Sequence, residues 1–144
     1  MMISTRGRYA LRVMTDLAEN GADGYIPMKE IAARQEISLK YLEKILPGLV
    51  EAGYLEGVHG KGGGYRLRKD PEECKVSDIL RVTDGDLAPV ACLEAGAEKC
   101  ERSAECRTLP LWDGLNEVIT SYLDSVTIAD LMKQCPEKTG SIIN

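Results

Sequence analysis

The sequence has few of the side chains that carry enzyme chemistry or fill an aromatic core. Among its 144 residues there is no phenylalanine, one tryptophan and one histidine, His59. No nucleophile, base and acid stand together in the pattern that catalysis by those groups requires. We therefore expect a protein that is not an enzyme, with a core built mostly from aliphatic side chains.

Long apolar runs are also absent. No stretch approaches the roughly 18 consecutive apolar residues of a membrane span, and the N-terminal residues show no apolar signal core. These features predict a cytoplasmic protein. In that reducing compartment the five cysteines, an odd number, are not expected to form structural disulfides.

The net charge of −5 is unevenly spread along the chain. Residues 1–70 carry 11 Lys and Arg against 9 Asp and Glu, whereas residues 71–144 carry 7 against 14. Nucleic-acid binding depends on the charge of the contact face rather than on the total. The mildly basic N-terminal half is therefore compatible with DNA binding.

Apolar residues at helical spacing, followed by alternating residues around glycines, predict a winged helix-turn-helix DNA-binding domain over residues 1–70. Ser4 and Ser38 stand where helix caps are expected. The order of helix, short helix, tight turn, capped helix and hairpin is typical of this fold. The fold class is thus mainly α with a small β-hairpin wing. The predicted helices cover about 6–20, 28–35 and 39–52, and the predicted strands cover 54–58 and 65–68.

Three further parts are predicted after residue 70. Residues 71–108 hold a short helix over 78–82, capped by Ser77, and then a polar segment with three cysteines. Residues 109–135 hold a long helix over about 111–125 and a final short helix, where Thr127 and Asp130 have capping-box spacing. Residues 136–144 form a polar tail. The long helix is apolar on more than one face, which favours pairing with a second copy as a homodimer.

Polar residues at the start of the third helix and on the wing are candidates for contact with double-stranded DNA. The first turns of a recognition helix reach base edges in the major groove, while lysines neutralise phosphates. Glycines let a backbone approach a phosphate closely. The same features also fit an ordinary turn with a solvated surface, and winged helices also serve as protein-interaction modules. The candidate residues are Arg8, Met28, Ser38, Leu39, Lys40, Tyr41, Lys44, His59, Lys61, Gly62, Gly63 and Arg66.

Cys92, Cys100 and Cys106 form a C-x7-C-x5-C pattern in polar sequence, which is unlike the surroundings of buried cysteines. Soft thiolates bind zinc or iron–sulfur clusters. The spacing matches neither the paired knuckles of a zinc ribbon nor a ferredoxin run. An iron–sulfur cluster, a zinc ion and redox-active thiols all remain open. A fourth ligand could come from a carboxylate of the same segment, Cys74, Cys135, His59 or another subunit.

Three segments together resemble the Rrf-type winged-helix transcription regulators. They are residues 4–10 (STRGRYA), 37–43 (ISLKYLE) and 62–65 (GGGY). With three cysteines, the chain is most similar to the iron–sulfur regulators of the IscR type. The NsrR and CymR types are relatives, and CymR-like members lack these cysteines. The resemblance implies a homodimer on a pseudo-palindromic operator, a [2Fe–2S] cluster on Cys92, Cys100 and Cys106, and repression of iron–sulfur assembly genes. The alternative is a regulator of the same fold that responds to cysteine metabolism, nitric oxide or thiol oxidation and uses zinc or free thiols instead of a cluster.

The sequence departs from its relatives at three positions. IscR-like members carry a histidine three residues after the third cysteine, where this chain has Leu109. NsrR-like members can use an acid near the N-terminus of the partner subunit, where this chain has Arg8. A wing arginine of IscR-like proteins is replaced by His59. The fourth ligand is therefore unassigned, and the base preference is expected to differ.

Overall fold

A computed structural model describes residues 2–21 and 24–134, and it confirms a mainly helical winged-helix fold with a two-stranded hairpin. Cys135 and the predicted polar tail lie outside the described residues. Among the described residues, each helix is too short or too polar to span a lipid bilayer. The elements are α1 (Thr5–Asn20), α2 (Met28–Gln35), α3 (Leu39–Glu51), β1 (Leu55–Val58), β2 (Gly64–Leu67), α4 (Val76–Asp84), α5 (Leu109–Ser125) and α6 (Ile128–Lys133).

Helix α1 lies at the centre of the core. It begins after Ser4, whose Oγ accepts a hydrogen bond from the Gly7 amide at 2.9 Å, as expected of a serine cap. Its buried face contacts residues of α2, α3, α4, α6 and β2, and the shared core is almost wholly aliphatic. The buried residues of this core include Ala10, Val13, Met14, Leu17, Ile31, Leu42, Ile45, Leu46, Leu49, Leu55, Ile79 and Ile128.

The turn between α2 and α3 is tight because Glu36 adopts a left-handed conformation, with φ 54° and ψ 44°. The amide of Ile37 donates to the Ala32 carbonyl at 3.2 Å, which satisfies one of the last carbonyls of α2. Ser38 then caps α3 by accepting from the Tyr41 amide at 3.1 Å. These local bonds fix where α3 begins relative to α2.

The wing is an antiparallel hairpin in which Leu55 pairs with Leu67 and Val58 pairs with Gly64. Its second strand is also joined to the segment before α2. Ile26 and Tyr65 exchange two backbone hydrogen bonds of 2.8 Å. The wing is therefore anchored at its base to the helix-turn-helix.

Helix α4 is longer than the sequence analysis predicts, and Ser77 does not cap it. The helix begins at Val76, and Ser77 is fully buried inside its first turn. The Ser77 hydroxyl donates to the Asp124 carboxylate of α5. The prediction was wrong because a partner distant in sequence satisfies this hydroxyl. Helix α5 also begins at Leu109, slightly earlier than predicted.

The end of the described chain returns to the N-terminal core. The Val76 amide donates to the Val126 carbonyl and the Ile128 amide donates to the Cys74 carbonyl, both at 2.9 Å. The predicted capping box of Thr127 and Asp130 is confirmed by both of its hydrogen bonds. Ile128 is fully buried in the same core as α1. Residues before and after residue 70 thus share one core.

Candidate DNA-binding surface and cysteine segment

The N-terminal turn of α3 presents polar side chains outward. Ser38, Lys40 and Lys44 are exposed, and Leu39 keeps 41% of its surface exposed. The opposite face of the helix is buried in the core. This is the arrangement that a recognition helix requires, because the side chains that would reach base edges are not engaged in packing.

Tyr41 has a second role, as a contact between α3 and α1. Its ring meets the Tyr9 ring edge-on, with centroids 5.2 Å apart, and the Arg12 guanidinium lies 5.1 Å from the Tyr9 centroid. Tyr41 also lines an open cleft of about 400 Å³ with Thr5 and Arg6. This predicted DNA contact therefore also takes part in the packing between α3 and α1.

The wing divides its candidate residues between the tip and the base. Lys61 is exposed at the tip. Arg66 is instead paired with Glu56 across the hairpin, and its guanidinium lies 4.4 Å from the centre of the Tyr25 ring. Lys61 is thus available to bind a phosphate. Arg66 would first have to break its ion pair with Glu56.

Two glycines of the wing are required because a side chain at either position would clash with the backbone. A Cβ on Gly63 would lie 2.2 Å from the Val58 carbonyl oxygen, and one on Gly64 would lie 2.2 Å from the Ile26 oxygen. Gly62 has a φ of +77° with open space around it. The hairpin therefore needs glycine at positions 63 and 64, because a side chain there would collide with the backbone. At Gly62 the backbone conformation favours glycine, and the space around it is free for contact with DNA.

A groove of about 650 Å³ separates the wing from the two helices of the helix-turn-helix. Met28 at the start of α2, Pro47 and Val50 on α3, and His59 on the wing line it. The structure thus brings Met28 and His59 to one groove. Arg8 lies apart from it on the exposed first turn of α1, where its guanidinium donates to Thr5 Oγ1 at 3.0 Å.

The three spaced cysteines lie on the surface between α4 and α5. Cys92 and Cys100 are exposed and Cys106 is half-buried, and all are free thiols. Asp86 holds the first part of this cysteine segment (residues 88–108), because its carboxylate accepts from the amides of Ala88 and Ala95 at 2.7 and 2.6 Å. Over residues 2–21 and 24–134, no three His, Cys, Asp or Glu side chains converge on a metal position.

Cys106 has the environment of a reactive thiol. Its Sγ lies 3.4 Å from Thr108 Oγ1 just before α5 begins. Hydrogen bonds from the Thr108 side chain and backbone, assisted by the Leu109 amide and by Arg102, lower the pKa of the Cys106 thiol. A thiolate is the form that ligates soft metals and that reacts with oxidants. The donor chemistry of the segment therefore fits a metal or cluster, although its geometry is not assembled.

Cys74 is a different kind of cysteine. It is fully buried in the main core, and burial raises the pKa of its thiol. It is thus held as the protonated thiol, away from the cysteine segment's surface. Of the sequence candidates for a fourth ligand, Cys135 lies beyond the described residues and His59 is exposed on the wing.

Helix α5 leaves an apolar stripe uncovered. Leu111, Leu115, Val118 and Tyr122 follow the 4-3-4 spacing of one helix face, and Val118 and Tyr122 are 65% and 66% exposed. In contrast, Leu123 of the same helix packs against the small cluster around Val76, Leu80 and Leu87. One side of α5 is used inside this chain and the other is free for a partner.

A winged helix with a capped recognition helix and a lysine-tipped wing defines a DNA-binding transcription regulator. The chain belongs to the Rrf2 family, whose description is "Iron-dependent Transcriptional regulator" and whose profile matches residues 3–134. The named relatives are regulators rather than enzymes, which confirms the prediction that this protein is not an enzyme.

Three relatives illustrate the range of the family. The transcriptional regulator IscR of Aliivibrio salmonicida is 37% identical over 132 residues, which cover 92% of this chain and 77% of that protein. The solved structure of T. potens IscR has a TM-score of 0.73 at 35% identity and covers 92% of this chain and 87% of its own. CymR, the global cysteine regulator of B. subtilis, has a TM-score of 0.74 at 33% identity, with coverage of 92% and 96%.

Two aspartates with structural importance for this surface escaped the sequence analysis. Asp84 and Asp86 each accept two hydrogen bonds from residues outside α4. In the sequence they belong to the segment Thr-Asp-Gly-Asp, which predicts a turn and nothing more specific. Their partners cannot be identified from spacing, although aspartates flanking a glycine are typical of hydrogen-bonded turns.

Proposed function

We propose that this protein represses genes of iron–sulfur cluster biogenesis, or related iron and sulfur genes, as a cytoplasmic homodimer. In this proposal Cys92, Cys100 and Cys106 hold an iron–sulfur cluster of the [2Fe–2S] type. The observation that carries the proposal is the placement of the three thiols. All are free and outside the core, beside a winged helix whose relatives include IscR, whereas Cys74 is buried.

The DNA-reading part of the proposal rests on the surface of α3 and the wing. Two recognition helices related by a two-fold axis would read half-sites about one helical turn apart in a pseudo-palindrome. The apolar stripe of α5 supplies a self-complementary face of the kind that two-fold dimers use. Lys40, Lys44 and Lys61 are among the exposed cations on this surface, and in this proposal they neutralise phosphates.

A cluster held by the three thiolates would supply sensitivity to iron supply, oxidants and nitric oxide. The regulatory switch would come from a difference in DNA affinity between two states of the protein, one with the cysteine segment ligated and one without. A switch of this kind requires that one state bind the operator more tightly than the other. The cysteine segment follows α4, which packs on α1, so a change in its order acts next to the DNA-reading module.

The experiment begins with protein purified without oxygen. Near-ultraviolet and visible absorption beyond the protein's own aromatic bands is recorded together with assays of iron and sulfide. The Cys92→Ala, Cys100→Ala and Cys106→Ala variants should lose colour and iron and remain folded. Cys74→Ala is the matched control and should keep both. Operator affinity that is the same in cluster-loaded wild type and in the colourless variants would refute the switch.

A second candidate is a thiol-redox regulator without metal. The lowered pKa of the Cys106 thiol and the likeness to CymR of B. subtilis favour it. Protein that remains colourless and free of iron and sulfide after attempted reconstitution, but whose DNA affinity changes on mild oxidation, would establish this candidate. The site of oxidation would be read by mass spectrometry as a sulfenate or disulfide.

A further inference from the structure

The turn at the end of α4 holds two separate parts of the protein, one on either side of Gly85. On one side, Asp84 accepts hydrogen bonds from the Ser4 hydroxyl and, at 2.9 Å, from the Ser4 amide. Ser4 is the residue that caps α1. The C-terminus of α4 is therefore fastened to the first residues of α1, 80 positions earlier in the chain.

On the other side of Gly85, Asp86 closes the first part of the cysteine segment into a loop. Its two carboxylate oxygens accept from the Ala88 and Ala95 amides, so both ends of the loop that contains Cys92 meet at one side chain. Open clefts of about 190 and 530 Å³ lie beside this loop. Asp86 is thus a defined anchor in a part of the molecule that is loosely packed.

The turn depends on the glycine at its centre. Gly85 has a φ of 73° and a ψ of −128°, a conformation that side-chain-bearing residues rarely adopt. Helix α1 also approaches closely, since a Cβ on Gly7 would lie 3.0 Å from an Asp84 oxygen and 3.1 Å from Leu80. Asp86 is therefore only two residues from Asp84, and Asp84 in turn packs closely against the start of α1.

The N-terminus of α1 is in turn next to the recognition helix. Ser4, Thr5 and Arg6 share the 400 Å³ cleft with Tyr41, and one turn further along α1 the Tyr9 ring contacts the Tyr41 ring. The start of α1 is therefore joined to α3 through the contact between Tyr9 and Tyr41.

We infer that the Asp84–Gly85–Asp86 turn couples the cysteine segment to the N-terminus of α1, so that ordering one orders the other. Asp84 and Asp86 are positioning residues in this inference, since neither is placed on DNA or on a ligand. As a device of regulation the inference rests on the proposed function, but the coupling itself is a property of the polypeptide and is present without any cluster. Linkage requires it to act in both directions.

The test uses the whole chain in its cluster-free form and measures amide hydrogen exchange residue by residue. Asp86→Ala removes the acceptor for Ala88 and Ala95, and the informative amide is that of Gly7 at the start of α1. Asp84→Ala removes the Ser4 contacts, and the informative amides are those of Ala88 and Ala95. Each distant amide should exchange about fivefold faster or more, as expected for coupled sites. Asp84→Asn replaces Asp84→Ala if the latter does not fold.

Asp78→Ala is the matched control. It removes one carboxylate from the same helix, and its partner is Arg81, at 3.5 Å on the surface. It should leave all three amides unchanged. The inference is overturned if each variant speeds exchange only at the amides that donate to the carboxylate it removes, and not at the distant amides.

A second measurement separates this inference from the proposed function. In cluster-loaded Asp86→Ala, iron content should match that of the wild type, while the ratio of operator affinities between loaded and cluster-free protein should fall to about one. An unchanged ratio would overturn the inference. Wild type that binds no cluster would instead refute the proposed function, and the exchange measurement would still decide the coupling.

Discussion

Asp16 of α1 and Arg34 of α2 form a bidentate ion pair, with Nε to Oδ2 at 2.9 Å and Nη2 to Oδ1 at 2.8 Å. The Asp16 side chain is 1% exposed and that of Arg34 is 36% exposed. Gln35 donates a third bond to Asp16 at 2.9 Å, and Arg12 donates to Gln35 in turn. Glu36 and the turn to α3 come directly after Gln35. This network therefore fixes the position of the C-terminus of α2, and with it the start of the turn that leads to α3.

Replacing Asp16 should therefore destabilise the protein strongly. Asp16→Ala leaves the guanidinium of Arg34 and the Gln35 amide without their acceptor. Loss of one partner costs about 3–5 kcal/mol when the remaining charge stays buried. Because the Arg34 side chain is 36% exposed and water can reach it, the expected loss here is about 2 kcal/mol. Urea unfolding followed by circular dichroism measures it. Asp78→Ala, which removes a surface carboxylate, should change the free energy of unfolding by less than about 1 kcal/mol.

Lys61 should act on DNA through phosphate. Lys61→Ala is expected to weaken binding to specific and to non-specific duplexes by the same factor, because a phosphate contact carries no sequence information. The slope of log affinity against log salt should become shallower by about one. Fluorescence anisotropy at several salt concentrations measures both quantities. Lys133→Ala in α6 removes the same charge away from the wing and should alter neither; equal effects of the two variants would contradict the wing contact.

The uncovered stripe of α5 predicts a charge-sensitive dimer. Val118→Lys places an ammonium in the middle of the stripe, where burying an unpaired charge is unfavourable. The dimer dissociation constant, from sedimentation equilibrium, should rise at least about tenfold, which corresponds to roughly 1.4 kcal/mol. Glu117→Lys introduces the same side chain beside the stripe and should leave the constant nearly unchanged. A Val118→Lys protein as dimeric as the wild type would place the interface elsewhere.

The Asp84 contact should make stability depend on pH. Burial by itself would raise the pKa of Asp84, but hydrogen bonds from Ser4 and Thr83, with the charge of Arg6, outweigh it and place the pKa below its ordinary value of 3.8. The folded protein thus binds this proton less readily than the unfolded chain. The stabilisation is fully present above pH 3.8 and is lost as the pH falls through the lower folded-state pKa.

This dependence can be isolated by difference. The free energy of unfolding of wild type minus that of Asp84→Asn, measured from urea titrations between pH 7 and pH 3, should be constant at first and then shrink below pH 3.8. Other carboxylates titrate equally in both proteins and cancel. A difference that grows as the pH falls would show that the pKa of Asp84 is raised rather than lowered.

The helix-turn-helix and the wing could be predicted from the sequence because their signals are local. Ser4 and Ser38 cap through amides three residues away, and the pairing of Val58 with Gly64 follows from a short glycine-rich turn. The capping box at Thr127 is equally local. Such features depend on spacing alone, which the sequence displays directly.

The remainder depends on contacts between distant residues. Ser77 resembles a cap until Asp124 is found beside it, 47 positions later. Asp16 looks like any polar residue of an amphipathic helix until Arg34 covers it. The three spaced cysteines can be recognised as soft donors from their polar surroundings, yet spacing does not say whether they meet. Among the described residues, they do not form a group that could hold a metal ion. Neither the sequence spacing nor the described geometry identifies a fourth ligand.

The burial of Ile128 beside α1 has a consequence for synthesis on the ribosome. The hydrophobic core under the recognition helix lacks one of its fully buried residues until α6 has been translated and has left the exit tunnel. The backbone bonds between Cys74 and Ile128 and between Val76 and Val126 must form equally late. The nascent helix-turn-helix is therefore expected to remain incompletely closed until the segment that bears the cysteines has also emerged, so that the DNA-reading module is completed only when the cysteine segment is present.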